Sequence, residues 1–264
     1  MFAVVCGAQT LKRTTVKTDS VPFGAGSTLS VTGAPVGDIK LWNSTKDTVS
    51  VEATIIVEAA NEVDLAGAAA LTGFVIQESL GRVAVVSVGA DSRRKFTSDE
   101  KKLIKRLKGM PYRIDYQIGI PRYCNVEIDG GRGEIHLYGA DGRHRITGVD
   151  SDVRANVGGF LSIALQKGRA HIEVVPSWRI DGIEASVVSG DLQLLLDRQI
   201  SADIDASVLR TGSIRQINGP ELKPRDARKF PFTEKLVMAR AGAGGAGIKL
   251  TVGDGGIYLG RLVE

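Results

Sequence analysis

A five-residue unit recurs along this chain and constrains its fold more than any other feature. Written Gly-x-Φ-x-Φ, with Φ apolar, it occurs as Gly37-Asp-Ile-Lys-Leu, Gly133-Glu-Ile-His-Leu, Gly159-Phe-Leu-Ser-Ile, Gly168-Arg-Ala-His-Ile, Gly190-Asp-Leu-Gln-Leu and Gly255-Gly-Ile-Tyr-Leu, with Gly212-Ser-Ile-Arg-Gln as a degenerate copy. Glycine takes a sharp turn, two residues then point inward at period two, and the residues between them point out. One unit cannot bury its apolar face alone, whereas a stack of units can. Glycines 168, 190 and 212 are each 22 residues apart, which fits one coil of two or three short strands. The expected fold is therefore mainly β. It is a single-stranded, right-handed β-solenoid-like stack of Gly-x-Φ-x-Φ rungs with two short helices inserted. A β-sandwich, which also strings together short strands, is the alternative. In either case Ile135 and Leu137, Leu192 and Leu194, and Ile257 and Leu259 should face inward. Lys40, Glu134, His136, Arg169, His171, Asp191 and Gln193 should face out.

The local patterns fill in the rest. Leu29 with Val31 and Ile39 with Leu41 alternate on either side of a Gly/Pro loop at 33–37, and predict a hairpin-like pair. Val49 to Val57 continue the period of two as a third strand. Asn61 to Leu71 break it. Asn61 is a good N-cap, Glu62 and Asp64 suit a first turn, and Gly73 suits a stop, so a helix is expected there. Strands return at 74–77 and 82–88, with a turn near 79–81. A second helix is predicted from Ser98 to Lys108, ended by Gly109 and Pro111; only strands and turns follow. The organisation expected is one domain over 15–264 with an α/β insertion at about 60–113, preceded by a tail or export-signal remnant at 1–14.

Charge is concentrated in that insertion. Between Asp91 and Arg113 nine basic residues face three acidic ones, a surplus of +6 that leaves −2 for the rest of a +4 chain. Arg93, Arg94, Lys95, Lys101, Lys102, Lys105, Arg106 and Lys108 form a candidate surface-binding patch, suited to an anionic membrane surface. A helix that caps the stack and solvates its lysines is the competing reading. Nucleic acid is not expected as a partner. The remaining chain is slightly acidic, and Phe96 and Tyr112 are the only aromatics near the patch.

Most familiar chemistries fail on context. Cys6 and Cys124 form no Cys-x-x-Cys, so structural zinc is excluded; Cys124 reads as a buried free thiol. Gly242, Gly244 and Gly247 match Gly-x-Gly-x-x-Gly, but a strand pattern at 248–252 follows where a dinucleotide site needs a helix. No Gly-x-Ser-x-Gly elbow occurs. Of the histidines His136, His144 and His171, the first and third occupy outward positions, where they read as solvated side chains or as a weak metal ladder. Asp38, Asp191 and Asp254 flank turn glycines, which explains them without a glycosidase carboxylate pair. Trp42 and Trp178 suit either core packing or a sugar-binding surface. No catalytic residue, metal or cofactor is indicated.

No apolar run is long enough to span a membrane. The apolar start, Phe2 to Ala8, reads as the remnant of an export signal, with Ala8 at a cleavage position and Cys6-Gly7 a faint lipoprotein-like feature. The Gly-Asp-Ile-x-Leu strand starts, Ser189-Gly190-Asp-Leu-x-Leu, Thr211-Gly212-Ser-Ile, and the step from Ile114 to Pro121 into the repeats are together similar to a bacterial adhesin-like β-solenoid family. That family includes the auto-transporter adhesins of the head GIN domain type. The resemblance runs from about Val21 to Val263 and is least at 60–113. It implies an exported protein of the periplasm, cell envelope or exterior, non-enzymatic, structural or adhesive in role, with no catalytic residues to carry over. An envelope protein, a glycan or an anionic membrane surface are the partners it leaves open. The alternative functions are a carbohydrate-active enzyme on a β-helix scaffold, or an anionic-surface binder acting through the basic helix at 93–108.

Overall fold

A computed structural model describes residues 10–90, 97–107, 109–176, 179–217, 222–226 and 232–262. Cys6, Ala8, Arg93, Arg94, Lys95, Lys108 and Trp178 lie outside the described residues. The described chain is mainly β, with fifteen strands joined in one mixed sheet that does not close, and two helices.

The strands fall into two series. The first begins with β1 (Leu11–Pro22), β4 (Thr48–Ala59) and β7 (Tyr112–Pro121), which pair antiparallel in that order. Parallel pairing then takes over. β7 pairs with β3 (Ile39–Ser44), and β3 pairs with Ile135–Leu137 of β8 (Asn125–Val174), an extended stretch that turns several corners. The end of β8 pairs with the end of β9 (Ile180–Leu196), β9 with β15 (Ile257–Arg261), and β15 with β11 (Ile214–Ile217). The second series starts with β5 (Gly73–Ser79) antiparallel to β6 (Arg82–Val88). Parallel pairs follow: β6 with β2 (Thr28–Thr32), β2 with the start of β8, the middle of β8 (Gly159–Leu165) with the start of β9, β9 with β14 (Ala246–Asp254), and β14 with β10 (Ala202–Val208). β13 (Leu236–Ala241) and β12 (Lys223–Pro224) end it antiparallel. β8 and β9 belong to both series.

Three sequence expectations change here. Leu29/Val31 and Ile39/Leu41 are not a hairpin. β2 pairs with β6 and β8, and β3 with β7 and β8, so the Gly/Pro loop turns a corner between the two series. The Gly159 unit belongs to the second series, with Phe160 opposite Gly182. Gly168 and Gly190 are paired in register, but the second 22-residue step does not connect neighbours. Gly255 sits between Gly190 and Gly212, because β15 is inserted between β9 and β11.

The corner of the first series explains the recurring glycine. At Gly190 φ is 139°, and a Cβ would lie 1.8 Å from the carbonyl oxygen of Gly168. Gly37, Gly133, Gly168, Gly255 and Gly212 repeat the arrangement, each against a backbone oxygen of the neighbouring strand. Only glycine meets both demands. The Asp that often follows has its own task. Asp38 accepts a hydrogen bond from the Glu134 amide (2.9 Å), Asp152 from the Arg169 amide (3.1 Å) and Asp191 from the Gly256 amide (2.8 Å). Each carboxylate thus satisfies a donor that the corner leaves out of the strand ladder.

Alternation then builds the core. Ile135, Leu137, Leu192, Leu194, Ile257 and Leu259 are all buried, as expected. α1 (Glu62–Leu71) is N-capped by Asn61, whose Oδ1 accepts from the Asp64 amide at 2.9 Å; it ends at Thr72, one residue before the expected glycine. Ala68 and Leu71 press it onto β4 and β1. α2 (Ser98–Leu107) packs on α1, buries Leu107, and is tied by Arg106 to Asp64 at 2.7 Å. The helices therefore lie at the β1–β4 end of the first series. β1 begins at Leu11, within the segment expected as a tail.

Candidate binding groove

Because inward and outward positions alternate, the parallel part of the first series presents rows of side chains running across the strands. Lys40 is paired with His136, His171 with Gln193, and Gln193 with Tyr258. Arg154 fills the step between the two histidines. It lies two residues beyond Asp152, whose carboxylate holds the Arg169 amide, just as His171 lies two beyond Arg169. On one side of this row stand Glu134, Asp152, Arg169 and Asp191; on the other stand Tyr138 and Glu173, whereas Trp42 lines a separate hollow with Thr18, Ser50, Glu52 and Gln117. A groove of about 570 Å³ lies over His136, Arg154, His171 and Gln193.

Its polar groups are mostly engaged with one another. Arg169 Nη2 reaches Asp152 at 2.6 Å, and this hydrogen bond holds the Asp152 carboxyl below the usual range. His171 places Nε2 at 2.8 Å from Glu173 and Nδ1 at 3.0 Å from Gln193 Oε1. His136 Nε2 lies 3.2 Å from Glu134 Oε2 but off the line of a hydrogen bond. Burial lowers the His136 pKa; Lys40 and Arg154 lower it further, against Glu134. His136 is accordingly neutral at pH 7 and stacks edge-on against Tyr138, with ring centres 5.8 Å apart. Arg154 is exposed and has no carboxylate partner within ion-pair distance among the described residues. The carboxylates Glu134, Asp152, Glu173 and Asp191 stand against the cations Lys40, Arg154 and Arg169, so charges of both signs alternate along the groove.

Several sequence expectations are resolved at residue level. The histidine ladder is interrupted: His136 and His171 are two strands apart, roughly 10 Å, with Arg154 between them. Among the described residues no three His, Cys, Asp or Glu side chains converge on a metal position. Asp38 and Asp191 hold corner amides, and Asp254 holds Arg210 at 2.6 Å and Thr211 Oγ1 at 2.7 Å; those bonds push the Asp254 pKa down. Cys124 is buried as a free thiol, donates to Pro121 O at 3.1 Å, and is pushed up to about 12 by burial. The glycines around 244 join β13 directly to β14. Trp42 is 43% exposed on the outward face, so core packing does not account for it. Of the basic patch, Lys101, Lys102, Lys105 and Arg106 are exposed on α2, where Arg106 already has a partner in Asp64. They lie on the helical insertion, apart from the residues that line the groove.

Two residues escaped the repeat pattern. Arg154 belongs to the one strand start in the row with Ser151 where its neighbours have glycine; the backbone oxygen of Ser151 still supports Gly168. His144 faces inward at 1% exposure, and burial pushes it down to about 4. Its alternation with the buried Ile146 was the available signal.

No family model matches the chain, and no curated protein does. Among solved structures, its fold is similar to that of a candidate cell adhesion protein from Clostridium sporogenes. The alignment covers 95% of this chain and 100% of that one, with a TM-score of 0.51 at 11% identity. A candidate adhesin from Bacteroides fragilis aligns over 94% of this chain and 97% of that one, with a TM-score of 0.32 at 13% identity. The first likeness is one of fold alone. No helix among the described residues is long and apolar enough to cross a membrane.

Proposed function

We propose that this chain is a β-solenoid module, exported to the cell envelope, that adheres through its outward groove and catalyses no reaction. The observation that carries the reading is the row Lys40, His136, Arg154, His171, Gln193 and Tyr258, presented on successive parallel strands over buried inward residues. In-register parallel pairing, with glycine corners stacked one on another, favours a solenoid over a sandwich, whose sheets are antiparallel. A stiff row of this kind suits recognition, since little is lost in ordering it on binding. One groove carboxylate is poorly suited to the acid role in glycoside hydrolysis. Asp152 is held ionised by Arg169, whereas a general acid needs a raised pKa. The envelope assignment rests on the fold shared with a candidate cell adhesion protein and on the family resemblance of the strand starts. Fractionation of cells making the full-length gene product tests it. Recovery outside the cytoplasm supports export, and recovery only in the cytoplasm contradicts it.

A further inference from the structure

We infer that β1 is the contact between two copies of this chain, paired antiparallel about a two-fold axis at Val16. The strand is bonded on one side only. β4 takes that side, and among the described residues no other strand pairs with β1. Nine of its twelve residues are exposed, so α1 and α2 leave the free edge open. The Phe23 amide donates to the Asp47 carbonyl at 3.1 Å, just beyond the β1–β4 ladder. In an antiparallel ladder this turns the odd-numbered amides of β1 toward β4 and the even-numbered ones away from it. Two of the even positions are closed to a partner strand: Pro22 has no amide, and the Ser20 amide donates to Asp19 Oδ1 at 2.8 Å. The amides of Lys12, Thr14, Val16 and Thr18 remain as a row of donors along the open edge.

The side chains select a second copy of the same strand. With Val16 opposite Val16, Leu11 falls opposite Val21, Arg13 opposite Asp19 and Thr14 opposite Thr18, and the two-fold axis makes each of these pairs twice. Val16 is 57% exposed, the one large apolar side chain of β1 left in water. Arg13 and Asp19 are exposed and have no ion-pair partner of their own among the described residues. Lys12 already stands opposite Glu58 of β4. Slipping the pair by two residues is the smallest step that keeps the outward amides facing one another. It sets Arg13 against Lys17, or Lys17 against Lys17, so charge fixes the register. β1, β4 and β7 are already antiparallel, so the pairing extends the same sheet, and a two-fold contact closes at two copies. The axis stands perpendicular to the sheet, so both grooves open on the same side. The pairing itself does not depend on what the grooves bind.

Sedimentation velocity of the purified full chain over a concentration series tests the contact, with circular dichroism to check that every variant folds. The expected result is an equilibrium between monomer and dimer. Val16→Pro removes an amide that β4 does not use, so it should keep the fold and abolish the dimer. Arg13→Asp should weaken the dimer at least about tenfold, and adding Asp19→Arg should restore it. Lys249→Ala, on the second series, should leave it unchanged. The charge swap decides alone if Val16→Pro does not fold. A monomer at every concentration, a dimer that folded Val16→Pro leaves intact, a swap that does not restore association, or growth beyond two copies would each overturn the inference.

Discussion

His144 shows how strictly a single position is held. It occupies an inward site among apolar side chains, and burial lowers its pKa to about 4 from an ordinary 6.5. As pH falls below 6.5, the unfolded chain takes up a proton that the folded chain refuses, so stability is lost between pH 6.5 and 4. The full difference is about 3 kcal/mol. Urea unfolding at pH 7 and pH 4.5 should reveal it, and His144→Leu should flatten that part of the profile. An unchanged slope in the variant would show that the imidazole is not the cause. The corner glycines give a second expectation. Gly190→Ala must place a methyl group 1.8 Å from a carbonyl oxygen at φ 139°, and should cost at least about 3 kcal/mol. Gly247→Ala meets nothing within 4 Å at an ordinary φ and should fall within about 0.5 kcal/mol of the parent. Chemical denaturation of the pair measures the contrast; equal costs would mean the corner is not stacked as described. At this scale the corner glycines were legible, since the same spacing to two apolar residues recurs. His144 was harder to read, because its alternation with Ile146 places it inward only once Ile146 is known to face the core.

Among elements, the bonds between strand starts and the order of strands carry the fold. Asp191 accepts from the Gly256 amide, so Asp191→Ala should cost about 1–2 kcal/mol through the unpaired donor, and Asp191→Asn less, because its amide oxygen still accepts. Melting of the two variants tests this; equal losses would point to charge in place of the hydrogen bond. The C-terminal strands β14 and β15 lie between β9 and the pair β10 and β11. Truncation after Gly245 should therefore strip hydrogen-exchange protection from 202–217 as well. Protection retained there would indicate stacking in chain order. The sequence could not reveal this insertion, since repeats announce their shape and not their spatial neighbours. The same ambiguity made β2 and β3 look like a hairpin: two alternating runs around a Gly/Pro loop read alike whether they pair or turn a corner. α1 was legible because Asn61 and Asp64 are local signals that need no partner strand.

For the whole molecule, the composition and alternation made a mainly β chain readable from the start, together with the inward pairs that fill its core. The groove was only half visible. His136 and His171 could be placed outward from their units, but Arg154 follows a strand start with no glycine, and Lys40 joins the row only once β3 is known to lie against β8. The proposed function makes that surface the adhesive face of an envelope module. Its most direct test is the retention of the purified chain on isolated bacterial envelope, with Arg154→Glu compared against Lys249→Glu on the second series. The account expects binding that Arg154→Glu abolishes and Lys249→Glu leaves unchanged. Binding lost equally in both, or insensitive to Arg154, would contradict it.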